Sequence, residues 1–232
     1  MSQPMTTTNA LRLSLHSTAL LATACAATGP APRAADDESG LYVKAYGGAG
    51  ILEDDTIELT GAGASNASGD GSFDAGFLAG AAVGYDFTKN WAVELDYTYR
   101  TNDVDEFTAG GATVADGGDY ASTALMLNAY YTFAPDWKVK PYVGLGFGYA
   151  TEIDIDLEGG SLGGSQSYSG SSPAAQFMVG GTTRLTDSLR AYVEGRFFRA
   201  FDPEMDGEEG AAGTVESEYG HWGLLFGVNY AF

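Results

Sequence analysis

Three observations predict an all-β chain folded as an eight-stranded antiparallel up-and-down transmembrane β-barrel. Apolar residues recur with period two, not 3.6, along eight segments of about 11–15 residues. The connections alternate strictly, three short turns against four long loops rich in Gly, Ser and acidic residues. One parity of each segment is apolar, and the other is small, polar or charged. Segments this long exceed the usual globular strand of about 5–6 residues. They match the ~9–11 residues that a tilted strand needs to cross a bilayer.

The segments are 41–51, 75–87, 91–101, 120–133, 139–151, 173–185, 189–201 and 218–232. Turns TKN (88–90), APDWK (134–138) and TDS (186–188) join the second to the third, the fourth to the fifth and the sixth to the seventh. The long loops fall at 52–73, 102–119, 152–172 and 202–218. Compact soluble domains rarely carry four such loops, whereas short turns on one side and long loops on the other suit a membrane barrel. The third segment sets Trp91, Val93, Leu95, Tyr97 and Tyr99 against Ala92, Glu94, Asp96, Thr98 and Arg100. The last carries Trp222, Leu224, Phe226, Val228, Tyr230 and Phe232 at alternate positions. In water that row would be a sticky edge. Hydrocarbon removes the difficulty, provided every backbone group is paired, as closure achieves.

Aromatic residues gather at the segment ends, where their rings suit the half-wet headgroup layer. Phe87, Trp91, Phe133, Trp137, Tyr230 and Phe232 mark the turn side. Tyr97, Tyr99, Phe147, Tyr149, Phe197, Tyr219 and Trp222 mark the loop side.

The N-terminus reads separately. Residues 1–27 have the layout of a signal peptide, cleaved anywhere from 24 to 35; 28–39 form a flexible lead, and 40–232 form the barrel. Cys25, the only cysteine, falls in or beside the removed segment. A net charge of −20 with no cluster of Lys or Arg excludes nucleic acid as a partner.

The interior of an eight-stranded barrel is just wide enough for side chains to fill it. The inward parity supplies Lys44, Arg100, Lys140, Arg184, Arg190 and Arg196 against Asp86, Glu94, Asp96 and Glu194. Isolated charges there are costly, so Lys44 and Arg196 are expected to pair with Glu94, Asp96 and Glu194. His221 is the single histidine of the barrel region and sits on the inward parity without a matching Ser and carboxylate, so no catalytic role is expected.

The four loops hold 21 acidic residues and no Lys or Arg. This charge repels anions and concentrates cations. DIDLEG at 154–159 and DPEMDG at 202–207 resemble the first half of a calcium loop, with Asp154, Asp156, Glu158, Asp202, Glu204 and Asp206 as candidate ligands. Neither has the Glu that closes such a loop at its twelfth position. Residues 152–158 also read as a strand above the membrane with the acids on one face. No cofactor is expected beyond calcium in these loops.

With its signal-like start, eight alternating segments and terminal GVNYAF, the chain resembles the small OmpA- and Opa-type outer-membrane β-barrels of Gram-negative bacteria. The resemblance covers about 40–232. It implies an outer-membrane location with both termini periplasmic, and a monomer among lipid and lipopolysaccharide. It also implies a terminal strand read by the barrel-assembly machinery through Gly227, Val228, Tyr230 and Phe232. The function expected is a structural or surface-interaction role carried by acidic loops. The alternative is a narrow porin-like channel for cations or small solutes.

Overall fold

The structure is a computed structural model that describes residues 39–53, 55–60, 67–133, 136–160, 164–208, 211 and 213–232. The expected signal peptide and nearly all of the expected flexible lead lie outside the described residues. The strands are β1 (Gly40–Leu52), β2 (Asp55–Thr60), β3 (Ala67–Phe73), β4 (Gly76–Asp86), β5 (Trp91–Ala109), β6 (Ala112–Ala115) and β7 (Asp119–Thr132). They continue as β8 (Val139–Gly159), β9 (Gly164–Arg184), β10 (Leu189–Ala200), β11 (Glu204–Gly207), β12 (Thr214–Glu216) and β13 (Tyr219–Ala231).

Eight of these, β1, β4, β5, β7, β8, β9, β10 and β13, fall on the eight segments read from the sequence. Each pairs antiparallel with two others, β1 with β4, β4 with β5, β5 with β7, β7 with β8, β8 with β9, β9 with β10, β10 with β13, and β13 with β1. The succession of pairings therefore returns to its starting strand. Two short turns share one chemistry. Thr88 Oγ1 accepts from the Asn90 and Trp91 amides at 3.2 and 3.1 Å, and Thr186 Oγ1 accepts from the Leu189 amide at 3.1 Å. A threonine hydroxyl thus closes each reversal with a local side-chain bond.

Burial is inverted relative to a soluble sheet. Leu127, Leu145, Phe147 and Phe226 are among the exposed side chains, while Glu94, Asp96, Arg100, Glu194 and Arg196 are buried. One aromatic assignment is corrected. Tyr219 is fully buried, because it lies on the inward parity of β13 and packs edge-on against Tyr120 and Phe198.

The long loops are not loops for most of their described length, and the strand count is thirteen rather than eight. Five short strands, β2, β3, β6, β11 and β12, stand within them, and β5, β8 and β9 run well past the expected segment ends. The physical reason is a second period-two pattern. Ile57 and Leu59, and Ile153, Ile155 and Leu157, are buried at alternate positions with acidic residues between them, and Val104, Phe107, Met205 and Val215 are buried on the neighbouring strands, the first two offset by a bulge. These strands pair in turn, β5 with β3, β3 with β2, β2 with β12, β12 with β11 and β11 with β9. On the remaining side, residues 116–118 hydrogen-bond to Glu158 and Val104. The result is an outer tier around a continuous apolar core that includes Phe107, Ile153, Ile155, Tyr168, Met205 and Tyr219. Burying each large aliphatic or aromatic side chain contributes about 1.5–3 kcal/mol, enough to order segments whose charge alone would keep them apart. Phe107→Ala should destabilise this tier by about 3–5 kcal/mol, measured by urea unfolding of the refolded protein.

Candidate functional site

Inside the eight paired strands the polar side chains form layers. Lys44 on β1 meets Glu94 on β5 at 3.0 Å, and Glu94 also accepts from the Tyr42 and Tyr130 hydroxyls at 3.1 and 3.2 Å. One layer further, Arg196 on β10 reaches Glu194 at 2.8 Å and Asp96 at 3.3 Å. Asp96 accepts from the Tyr46 hydroxyl at 2.6 Å and from Thr98 at 2.5 Å. Glu194 accepts from Tyr142 at 2.9 Å. Buried charges are stable only when they are paired and their remaining lone pairs are satisfied, and these layers meet both conditions.

Other members of the expected network lie elsewhere. Asp86 and Arg190 pair at 2.5 Å near the turn end, where Asp86 is buried and Arg190 half-buried. Arg184 is exposed and stands directly across from Arg190, and Lys140 is half-buried; neither forms an ion pair among the described residues. The arginine lies at the strand terminus, where water serves it better than the interior. Arg100 is fully buried and stacks on the Phe198 ring at 3.9 Å.

Tyrosines complete the network, and the sequence carries a signal for them. Tyr42, Tyr46, Tyr130, Tyr142 and Tyr192 each stand directly across from a glycine, at Gly84, Gly80, Gly144, Gly180 and Gly227. A Cβ on Gly84 would come within 2.2 Å of the Tyr42 ring, and one on Gly180 within 2.5 Å of Tyr142. The ring therefore needs a bare backbone to lie against while its hydroxyl reaches a carboxylate.

The acidic outer tier presents its carboxylates on strand faces. In β8, Glu152, Asp154, Asp156 and Glu158 point away from the core while Ile153, Ile155 and Leu157 point into it. Asp154, Asp156 and Glu158 are thus spread along an extended backbone instead of wrapping a shared centre. Asp202 precedes β11, and Glu204 and Asp206 lie on it. No group of three His, Cys, Asp or Glu side chains is placed to hold a metal ion among the described residues. Glu204, Glu216 and Glu58 are consecutive cross-strand partners on β11, β12 and β2. They line a recess of about 480 Å³ with Asp202 and Glu218. Arg199 pairs with Glu218, and with Glu53 at 3.7 Å, beside this edge.

The terminal motif is stitched into the sheet. Val228 and Tyr230 are exposed on the apolar face of β13, Gly227 lies against Tyr192, and the Phe232 amide donates to Leu41 at 3.1 Å.

Two outcomes follow from this electrostatic arrangement. Arg196→Met should cost about 3–5 kcal/mol in urea unfolding, because it leaves Asp96 and Glu194 buried without their cation. Asp154 stands in the outer tier, where partial burial and then Glu152, Glu208 and Asp156 push its carboxyl up to about 6. A raised carboxyl favours folding in acid, and that stability is lost as pH rises from about 4 through about 6. Asp154→Asn should therefore flatten the pH dependence across that window and stabilise at pH 7, by under about 1 kcal/mol because the group is half solvated.

Comparisons with known proteins agree with the burial pattern. Residues 17–232 match the outer membrane protein beta-barrel domain family. A protein named "Outer membrane protein" from Gluconacetobacter diazotrophicus is 32% identical over 142 residues, which is 57% of this chain and 38% of that protein's length. The chain therefore spans well under half of that relative. Among solved structures, the outer membrane protein OprG from Pseudomonas aeruginosa aligns with a TM-score of 0.56 at 20% identity, covering 84% of this chain and 97% of that one. Neisserial surface protein A aligns with a TM-score of 0.50 at 20% identity, covering 84% and 98%. An apolar exterior, a charged interior and a match over nearly the whole sequence have one explanation: the chain belongs to the outer membrane protein beta-barrel domain family.

Proposed function

We propose that β1, β4, β5, β7, β8, β9, β10 and β13 cross the outer membrane as a closed eight-stranded up-and-down barrel with both termini periplasmic. In this reading the protein is a monomeric, non-enzymatic scaffold whose role is exercised at its surface. The observation that carries it is the outer tier, in which an ordered apolar core holds an acidic exterior in place. Such a surface meets lipopolysaccharide, itself anionic, through bridging divalent cations, calcium among them. Cation bridging of this kind uses shared, hydrated contacts and so does not require a closed calcium loop. Assembly follows from the exposed row ending in Val228, Tyr230 and Phe232, presented to the barrel-assembly machinery.

A conducting lumen is disfavoured on two counts. Arg196, Glu194 and Asp96 fill its middle, and the apolar core of the outer tier lies beyond them. Conductance of the refolded protein in planar bilayers, with and without calcium, should stay at baseline while an unboiled gel sample still migrates as folded protein. Discrete cation-selective steps would instead make the narrow channel its function.

A further inference from the structure

The fully buried Arg100 is left without an acceptor among the described residues. Lys44 holds Glu94, and Arg196 holds Asp96 and Glu194. Arg100, fully buried, has no hydrogen-bond partner for Nε, Nη1 or Nη2 among the described residues. The carboxylate whose charge reaches it, Asp96, is already held by Arg196 and makes no ion pair with Arg100. The ring of Phe198 lies against the guanidinium, and its two cross-strand neighbours are Leu78 and Ser122, the latter giving its hydroxyl proton to Tyr219 at 3.0 Å. His221, across from Phe198 on β13, is also buried and has Nε2 unpartnered. Its imidazole rests over Gly50, whose carbonyl accepts from Asn102, two residues beyond Arg100 on β5. Arginine, histidine and asparagine thus meet in one interior layer, between the Arg196 ion pairs and the apolar core of the outer tier.

A guanidinium carries five N–H donors, no acceptor, and a charge that it keeps at any accessible pH. Buried with every donor unmet, it carries a large desolvation cost. The Ser122 hydroxyl and the Asn102 side-chain NH2 are engaged; Asn102 Oδ1 has no partner among the described residues and takes no hydrogen bond from Arg100, and the apolar core limits water from the loop side. We propose that Arg100 and His221 form an interior binding site for one small monovalent anion of chloride size. The guanidinium supplies charge and a planar fork of donors, and protonated Nε2 of His221 supplies a further N–H. Larger anions are excluded by the packing of Leu78, Phe198 and Tyr219, all fully or almost fully buried.

The test is thermal unfolding of the refolded protein in detergent micelles, in chloride or in gluconate at equal ionic strength. Chloride should raise the midpoint by about 5 °C, since a ligand that binds only the folded state stabilises it by mass action. The shift should vanish in Arg100→Met, which keeps the stem over Phe198 and removes the donors. Equal midpoints in the two salts, or a chloride shift that survives in R100M, would overturn the site. Should R100M fail to fold, crystals of the unsubstituted protein grown in bromide decide the matter. An anomalous peak within hydrogen-bond distance of the Arg100 guanidinium is expected, and its absence overturns the proposal.

Discussion

Every other feature depends on one constraint: in hydrocarbon, a backbone N–H or C=O without a partner costs several kcal/mol. The eight long strands meet it by pairing on both sides, so that none of them presents an open edge to lipid. Once this is met, the side chains sort themselves against ordinary expectation. Leucine, valine and phenylalanine face outward, where lipid receives them. Lysine, arginine and glutamate face inward, where they must find one another. The inner layers are therefore a consequence of closure as much as a functional device. Glu94, Asp96 and Glu194 each have a cation and at least one tyrosine hydroxyl, directly or through the shared Arg196 layer.

The same chain solves a different problem beyond the membrane. In water, apolar side chains belong inside, and the outer tier obeys that rule, with Ile153, Ile155 and Leu157 inward and the acids outward. The strands β5, β8 and β9 pass through both regimes. On β9 the inward parity stays the same, whereas on β8 it passes from even positions up to Ala150 to odd ones from Ile153, across a bulge. The chemistry of the inward face changes as well. Glu94 and Asp96 occupy the inward positions low on β5, and Val104 and Phe107 occupy them high on the same strand, the offset between the last two being absorbed by a bulge opposite Ser72 and Phe73. A polar interior within the membrane thus gives way to a dry one above it, with Arg100 at the boundary.

Much of this was legible in the sequence, because period two and an alternation of short and long connections are global signals. The places of β1, β4, β7, β10 and β13 could be read within one or two residues. The pairing of Lys44 and Arg196 with Glu94, Asp96 and Glu194 followed from parity alone. The outer tier was obscured by composition. In GASNASGDGSF and GEEGAAGTVESE the apolar positions are sparse, and glycine, serine and acid dominate any local average, so Met205 and Val215 look like strays until their partners across the sheet are known. Tyr219 was misplaced for the opposite reason: an aromatic at a strand end suggests the headgroup layer, yet its odd number placed it inward with His221. The Tyr–Gly pairs needed register, which single-strand periodicity does not carry.

In the proposed orientation, the outer tier also governs how this protein would be recognised from outside the cell. Its surface is assembled from short strands far apart in the chain, so Glu58, Glu216 and Glu204 stand side by side although more than a hundred residues separate the first from the others. A recogniser that lands there reads three segments at once and finds them already ordered by the core beneath. In that orientation the dominant epitopes would be conformational. Antibodies raised on the folded protein would lose their target when the core is unfolded, and peptides copied from any one of these segments would present only a fragment of it.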